Sequence, residues 1–232
     1  MFRYEKKYIV NNLHIEQLKH RLSPFMKLDP ILAGKSFYSI RSLYFDDYND
    51  TCLKQVINGI SERYKYRIRY YNGNTDYIML EKKYKVNNMT KKTSCQLTKN
   101  QVDDIINNRN LVISKENNKL LNELYLAIKT NGFRPSIIID YDRIPYVYEA
   151  GYVRVTVDYN VSCSYEIDKF FEDNISRIPL MEEGKSILEI KYTDFIPDYI
   201  RFSLQLNELY RTSYSKYANG RLAIKNYVGG CL

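Results

Sequence analysis

The chain has 232 residues, of which 35 are Lys or Arg and 27 are Asp or Glu, so its formal charge is +8 at pH 7. This excess predicts an anionic partner, without separating a phosphate ligand from nucleic acid or a membrane surface. The four cysteines and two histidines lack metal-ligand spacing, which argues against a zinc site and favours reduced thiols in a cytoplasmic protein. No apolar run reaches the ~18 residues that span a bilayer, so we expect a soluble single domain over residues 1–232.

Strand patterns dominate the chain. In chain order, alternating polar and apolar residues predict strands over residues 2–10, 38–46, 62–71, 76–85, 134–143, 146–149, 152–161 and 187–193. The Asn72-Gly73-Asn74 stretch is typical of a hairpin turn. We therefore expect at least one long antiparallel hairpin near the middle of the chain.

Helical periodicity lies between these strands. It covers residues 13–22, 49–57, 98–107, 115–130, 197–209 and 216–227. A doubly wound parallel fold would alternate strand and helix throughout, which this chain does not do. The prediction is therefore an α+β, mainly β fold, with an eight-stranded antiparallel β-barrel and helices packed outside.

The strand predicted over residues 62–71 carries basic side chains on one face. Because strand side chains alternate, Arg63, Lys65, Arg67 and Arg69 share that face, and aromatic or apolar residues take the other. One solvated face is common in antiparallel sheets and would explain the pattern without any function. However, like charges in a row repel and need a bound polyanion or neighbouring carboxylates. The row therefore favours a binding site.

Glu-x-Lys pairs in three predicted strands place a carboxylate and an ammonium group on the same face. The pairs are Glu5 with Lys7, Glu81 with Lys83, and Glu189 with Lys191. In the last two strands the opposite face is apolar and needs a core, which leaves the charged face for a cavity or for solvent. Mg²⁺ and Mn²⁺ need oxygen ligands and phosphoryl oxygens need basic donors, so a site for metal and triphosphate requires both.

Several segments follow one another in a distinctive order: FRYEKKYIV, SIRSLYFDD, YKYRIRYY, LEKKYK, YDR, VRVTVD, LEIKY and SKY. Together they resemble the VTC-type polyphosphate polymerase domain, a branch of the CYTH-like triphosphate tunnel metalloenzymes, over nearly the whole chain. The resemblance implies an eight-stranded tunnel in which the γ-phosphate of ATP is transferred to a growing polyphosphate chain. The first strand has a single Glu-x-Lys where the adenylate cyclase and thiamine triphosphatase branch has E-x-E-x-K, which favours the polymerase branch.

The resemblance, together with the basic row, also implies roles for individual residues. Catalytic, phosphate-handling roles are expected for Arg67, Arg69, Lys83, Arg143 and Arg154. Further substrate-binding residues are expected at Lys7, Arg41, Lys65, Lys191 and Lys216. Ligands for Mn²⁺ or Mg²⁺ are expected at Glu189, Glu5 and Glu81. The expected partners are ATP and inorganic polyphosphate, with no nucleic acid and no membrane segment in this chain.

Three other functions stay open. With water as acceptor, the same site would be a triphosphatase or polyphosphate hydrolase. A non-catalytic module would bind polyphosphate or nucleic acid without metal, and a structural role would leave the basic row merely solvated. Two smaller features are interpreted as solvated, namely the Lys91-Lys92 pair in a predicted loop and the two histidines, His14 and His20, on the first helix.

Overall fold

The computed structural model describes residues 2–87, 89–206 and 209–229 of the chain. Its strands are β1 (Arg3–Asn11), β2 (Lys27–Leu28), β3 (Tyr38–Asp46), β4 (Glu62–Tyr71), β5 (Asn74–Val86), β6 (Met89–Leu97), β7 (Arg134–Tyr148), β8 (Val153–Ser164), β9 (Ile178–Pro179) and β10 (Lys185–Tyr192). Its α-helices are α1 (Asn12–Leu22), α2 (Thr51–Ile57), α3 (Lys99–Ile106), α4 (Lys119–Asn131), α5 (Asp198–Ser203) and α6 (Lys216–Gly229).

Eight of the strands form a closed ring. Hydrogen-bonded neighbours follow the order β7-β3-β4-β5-β6-β1-β10-β8, and β8 pairs again with β7. The neighbouring strands are antiparallel throughout the ring. Short strands β2 and β9 add to β7 and β8. The predicted mainly β architecture with eight antiparallel strands is confirmed.

The predicted hairpin joins β4 to β5. Tyr71 pairs with Asn74, which leaves a two-residue turn at Asn72 and Gly73. Both turn residues have positive φ, 52° and 70°. Asn and Gly tolerate this left-handed backbone, which matches the twist of the flanking strands.

Two apolar cores cover the outer face of the ring. The larger one packs helices including α3 and α4 on residues such as Leu43, Ile68 and Leu80. The smaller one packs α1 and α5 on β1, β8 and β10, with Leu188 and Val155 fully buried. Full burial of such a side chain contributes about 1.5–3 kcal/mol, so the outer face supplies much of the stability of the fold.

Helix α6 lies differently from the helices on the outer face. It packs on Ile137 and Ile139, which are ladder partners of Tyr44 and Ser42 and share the inner face of the ring with them. A Cβ atom at Gly220 would lie 2.7 Å from the terminal Cδ1 atoms of both isoleucines, so a larger residue there would have to displace these methyl groups. Helix α6 therefore packs against inner-face side chains of β7, and it also contacts α2.

Some predicted elements differ from the structure. Strand β6 was predicted as loop, because its segment is mostly polar: one face lines the ring, and on the other only the end of the strand, at Cys95 and Leu97, is buried. The strands predicted over residues 134–143 and 146–149 form the single strand β7. The helix predicted over residues 197–209 is the shorter α5, and residues 207 and 208 of that prediction lie outside the described residues.

The sequence predicted reduced cysteines and no membrane-spanning segment. Cys52, Cys95 and Cys163 are free and buried, while Cys231 lies outside the described residues. Among the helices that the structure describes, none combines the length and apolar character needed to cross a bilayer.

Candidate functional site

Charged side chains converge on the inner face of the ring. Residues paired across a ladder share a face, so the pairs Lys7 with Glu189, Arg67 with Glu81, and Lys65 with Lys83 bring together three separate parts of the chain. The basic row predicted on β4 thus faces inward, and its apolar and aromatic neighbours face the outer core.

An inner cavity of about 90 Å³ lies among these side chains. It is lined by eight basic residues, one carboxylate, three tyrosines and one serine, which are Lys7, Lys65, Arg67, Arg69, Lys83, Arg143, Lys191, Lys216, Glu189, Tyr44, Tyr141, Tyr217 and Ser215. Nine of the predicted site residues therefore border a single cavity.

Glu81 holds two basic side chains at one side of the cavity. Its Oε2 atom lies 2.5 Å from the Arg67 Nε atom, and its Oε1 atom lies 2.7 Å from the Lys92 Nζ atom. Burial alone would raise the pKa of Glu81, but Arg67 and Arg69 outweigh burial and lower it. Glu81 is therefore an ionised partner that orients Arg67. Lys92, which was predicted to be solvated in a loop, lies in β6; its side chain is exposed as predicted and also forms this ion pair.

Glu5 and Glu189 lie next to each other at a second position in the ring. The Lys7 Nζ atom is 3.3 Å from Glu5 and 3.8 Å from Glu189. Lys191 is 3.1 Å from Glu189, and Lys83 is 2.6 Å from Glu5. Burial opposes ionisation of Glu189, but Lys191 and Lys7 outweigh it and hold its pKa well below the ordinary value. Both carboxylates are therefore ionised and already paired with ammonium groups.

The predicted metal ligands divide between these two positions. Glu5 and Glu189 are neighbours that share Lys7 as an ion-pair partner, whereas Glu81 lies apart from them and pairs with Arg67 and Lys92. Within the part of the chain that the structure describes, no three His, Cys, Asp or Glu side chains form a group suited to a metal ion. Any metal would need further oxygen ligands from a substrate.

Asp158 connects β7, β8 and α6. Arg143 donates to both of its carboxylate oxygens, at 2.6 and 2.7 Å, and the Lys216 Nζ atom lies 2.5 Å from Oδ2. Asp158 is fully buried; burial disfavours its charge, but Arg143 and Lys216 outweigh burial and lower its pKa. This carboxylate therefore fixes the Arg143 guanidinium and the first residue of α6 beside the cavity.

Basic side chains outnumber carboxylates around the inner cavity, and this excess of positive charge shifts the pKa values of Tyr44 and Lys65. Burial raises the pKa of Tyr44, but Arg67, Arg69 and Lys65 outweigh burial and lower it to about 7. Arg67 also donates to the Tyr44 hydroxyl at 3.2 Å. Burial, with Lys83 and Lys7 nearby, lowers the pKa of Lys65 to about 8. Both shifts are those expected where positive charges crowd together, and a bound anion would relieve them.

Arg41 and Arg154 do not join the cavity. Arg41 lies on the outer face of β3, where its Nε and Nη2 atoms donate to Asp140 at 2.9 and 3.0 Å. Arg154 lies on the inner face, but its guanidinium is 2.8 Å from Asp29 and 3.1 Å from the Tyr38 hydroxyl. Arg41 was predicted to bind substrate, but the alternation of β3, which turns Ser42 inward to Arg69, places Arg41 on the outer face.

Several residues at the site were not predicted. These are Tyr44, Tyr141, Ser215 and Tyr217 in the cavity lining, with Asp158 and Lys92 as ion-pair partners. Five of these residues lie within the segments that carry the family resemblance: Tyr44 in SIRSLYFDD, Tyr141 in YDR, Asp158 in VRVTVD, and Ser215 and Tyr217 in SKY. Lys92 lies outside those segments.

A larger outer cavity, of about 990 Å³, opens beside the inner one. It lies between β1, β4 and β5 on one side and α2, α6 and residues 211–215 on the other. The two cavities share Lys7, Lys65, Lys83 and Ser215 in their linings. A ligand can therefore extend from one into the other along basic side chains.

The fold and the site define a class: a closed ring of eight antiparallel strands that surrounds a tunnel lined by Lys, Arg and Glu. The VTC domain family model matches residues 2–225, so the chain belongs to the VTC domain family. The resemblance drawn from the strand segments is thereby confirmed. No curated protein matches the sequence significantly.

Solved structures align with most of the chain at low identity. A protein from Pyrococcus horikoshii OT3 aligns with a TM-score of 0.47 and 12% identity, over 89% of this chain and 92% of the other. A proposed adenylate cyclase from Bacillus halodurans gives 0.45 and 14%, over 99% and 90%. The Mimivirus capping enzyme triphosphatase gives 0.35 and 10%, over 85% and 84%. At these TM-scores the likenesses add nothing to the family assignment.

Proposed function

We propose that the protein is a metal-dependent phosphotransferase, a polyphosphate polymerase that transfers the γ-phosphate of ATP to a growing polyphosphate chain. The observation that carries the proposal is the inner cavity with eight basic side chains and one carboxylate. Buried charges are costly unless they are paired, and a chain of phosphates would pair them. Membership of the VTC domain family supports this choice of ligand.

The proposed reaction exchanges one P–O bond for another. An oxygen of the terminal phosphate of the acceptor chain attacks the γ-phosphorus of ATP and forms the new bond. The bond to the β,γ-bridging oxygen breaks, and ADP leaves with that electron pair. Since phosphoryl transfer depends mainly on positioning and charge stabilisation, no protein nucleophile is required.

The arginines are suited to stabilise the transferred phosphoryl group. Arg67 is held by Glu81 and Arg143 by Asp158, so both guanidinium groups are fixed before a ligand arrives. Arg69 donates to the Ser42 and Tyr141 side chains at 3.1 and 2.9 Å. Fixed donors are worth more than mobile ones, because they need no reorganisation as charge develops.

The lysines are suited to hold the phosphate chain. Lys83 and Lys191 pair with Glu5 and Glu189, whereas Lys65 donates to the Ser215 hydroxyl at 3.4 Å and lies 5.1 Å from the centroid of the Tyr217 ring. Phosphate oxygens that enter the cavity would form ion pairs with these ammonium groups. Arg154, held by Asp29, would meet the chain only farther along the tunnel.

Mn²⁺ or Mg²⁺ is part of the proposal. Mg²⁺ is usually held by one or two carboxylates together with substrate phosphates. The adjacent Glu189 and Glu5 fit that pattern, since two carboxylates lie together there and their lysine partners can transfer to phosphate oxygens, whereas Glu81 lies apart from them and is held by Arg67 and Lys92. A divalent ion bound with the nucleotide would neutralise charge on the phosphoryl oxygens.

A cytoplasmic location is also part of the proposal. The buried free thiols support it, because thiols stay reduced in that compartment.

Product analysis tests the proposed function. Purified protein is incubated with ATP and Mn²⁺, and the products are separated by chain length. We expect long-chain polyphosphate and ADP. Free phosphate alone would contradict polymerisation and assign the site to a triphosphatase or polyphosphate hydrolase; ATP binding without turnover would make it a binding module.

Glu189→Gln tests the metal. We expect turnover to fall about 10²-fold or more, comparable to losing one electrostatic contact to the transition state. Glu183→Gln is the matched control, because Glu183 is exposed outside the tunnel. Full turnover by Glu189→Gln would remove this carboxylate from the metal site.

A further inference from the structure

One end of the tunnel presents an acidic side chain to the basic lining. The short strand β2 pairs with the end of β7, and the backbone amide of Asp29, the next residue, donates to the Pro145 carbonyl at 3.0 Å. The Asp29 Oδ2 atom lies 2.8 Å from the Arg154 guanidinium, which also donates to the Tyr38 hydroxyl at 3.1 Å. We call this end of the tunnel, where Asp29, Arg154 and Tyr38 meet, the β2 mouth.

Two buried polar atoms beside the β2 mouth lack a hydrogen-bond partner within the part of the chain that the structure describes. They are the Arg154 Nε and the Thr156 Oγ1 atoms. Both residues lie on the inner face of β8, because their ladder partners are Lys191 and Glu189, which border the inner cavity. Thr156 is only 1% exposed. Buried polar groups nearly always have partners, so a donor and a hydroxyl left unpaired on one face indicate a polar ligand.

The chemistry of these two atoms fits an oxygen of a phosphate chain. A guanidinium donates strongly to phosphate oxygens, and a threonine hydroxyl can donate one further hydrogen bond. Arg154 is four residues from Asp158, which fixes Arg143, and four residues of a strand span about 13 Å at ~3.3 Å each. A short ligand held by the arginines of the inner cavity therefore does not reach the β2 mouth, whereas a longer chain does.

Asp29 opposes such a chain. Its carboxylate occupies one edge of the Arg154 guanidinium and presents a like charge to an incoming phosphate. This carboxylate is held in place, because its Oδ1 atom accepts from the Ile31 amide at 3.1 Å at the start of the 3-10 helix Pro30–Leu32, and Leu32 is buried in the larger apolar core. A repulsive charge placed against one ligand raises selectivity for others, so Asp29 disfavours ligands that extend this far.

We infer that Asp29 is a specificity-determining residue that limits how far a phosphate chain occupies the tunnel. Its carboxylate competes with the chain for Arg154, and a chain that displaces it also gains a hydrogen bond from Thr156. This inference rests on the proposed function and adds to it a selection by chain length at the β2 mouth.

The test compares two ligands that differ in chain length. Binding of inorganic tripolyphosphate and of long-chain polyphosphate is measured by calorimetry, under identical conditions, on the wild-type protein and on Asp29→Asn. Asparagine keeps the shape of the side chain and also caps helices well, so the turn should be preserved, which thermal unfolding checks. Asp168→Asn is the matched control, because it removes the same charge from an exposed position after β8.

We expect Asp29→Asn to bind long-chain polyphosphate about tenfold more tightly, a difference of about 1.4 kcal/mol, while its affinity for tripolyphosphate is unchanged. The control should bind both ligands as the wild type does. Unchanged or weaker binding of the long chain by Asp29→Asn, or an equal gain for both ligands, would overturn the inference and leave the proposed function intact. A wild-type protein that binds neither ligand would overturn the proposed function and this inference with it.

Thr156→Val provides an independent measurement. Valine has a similar shape but no hydroxyl, so it leaves no unpaired polar atom at this buried position, and thermal stability should not fall. We expect the affinity for long-chain polyphosphate to fall about threefold, as for the loss of one hydrogen bond, with the affinity for tripolyphosphate unchanged. A loss of stability without this difference between the two ligands would make Thr156 a structural residue and remove it from the site.

Discussion

On β4 the outer face carries Tyr66 and Ile68, and the inner face carries Arg67 and Arg69. Ile68 is completely buried among apolar side chains, and Arg69 is almost as buried, at 5% exposure, but among charged and polar groups. One face gains free energy by leaving water, while the other must balance desolvation of its charges with ion pairs. The comparison shows that one strand can serve stability and ligand binding at once, because successive side chains point in opposite directions.

The balance on the inner face is incomplete. Glu81, Asp158, Glu5 and Glu189 each neutralise basic neighbours, yet basic groups outnumber carboxylates around the inner cavity. An anionic ligand is therefore expected to stabilise the protein through the inner face, where it would pair with the remaining basic groups. Four predictions separate the two faces, beginning with the largest effect.

Ile68→Ala should have the largest effect on stability. Removing part of a fully buried side chain from the outer core should cost about 2–5 kcal/mol in the free energy of unfolding. Denaturant titration measures this cost. The folded fraction should bind ATP as the wild type does. A large loss of affinity without a loss of stability would mean that the two faces do not divide these roles.

Arg67→Met should affect turnover rather than stability. Loss of a fixed donor to the transition state should reduce turnover about 10²–10³-fold. The free energy of unfolding should change little, since Glu81 keeps its ion pair with Lys92. Arg109→Met, at an exposed position after α3, is the matched control. Turnover near the wild-type level would contradict the role of Arg67.

Lys65→Met should increase the stability of the protein and reduce its affinity for the ligand. The pKa of Lys65 is lowered to about 8, mainly by burial, so its charge is unfavourable in the folded protein at pH 7. We expect a gain of about 1 kcal/mol in the free energy of unfolding. The folded wild type binds fewer protons than the unfolded chain between pH 8 and ~10.4, so its stability should rise with pH across that window, and this rise should diminish in the variant.

The same variant should bind ATP more weakly, because an ammonium group of both cavities is lost. Chemical denaturation between pH 7 and pH 10, and calorimetry at pH 7, measure the two effects. A less stable Lys65→Met with unchanged affinity would show that Lys65 is a structural residue.

Tyr44→Phe should have the smallest effect, limited to pH dependence. With a pKa of about 7, Tyr44 gains negative charge as the pH rises through neutrality, and this charge opposes an anion in the same cavity. The affinity of the wild type for tripolyphosphate should therefore fall between pH 6 and pH 8 more steeply than that of the variant. Tyr227→Phe, an exposed tyrosine on α6, is the control. Identical pH profiles for wild type and Tyr44→Phe would contradict ionisation of this phenol.

Much of the candidate site followed from local pattern. Alternation within β4, β5 and β10 was enough to predict that Lys65 and Arg67 share one face of β4 and that Lys83 and Glu189 lie opposite apolar faces, since side-chain direction in a strand depends on neighbours one residue away. That these charged faces meet in one tunnel was implied by the family resemblance. The same rule was insufficient on β3. There, Arg41 and Ser42 are both polar, so only the packing of β3 against its partners shows which of them faces inward.

The sequence by itself determined the strand periodicity, the hairpin at Asn72 and Gly73, the alternation of basic and apolar side chains on β4, and membership of the VTC domain family. Each of these depends on residues close together in the chain or on segments taken in order. The tertiary structure alone decided that Glu81 pairs with Lys92 rather than joining Glu189, that α6 packs against the inner face of β7, and that a larger outer cavity opens beside the inner one. These features depend on contacts between residues far apart in sequence, which closure of the ring brings together.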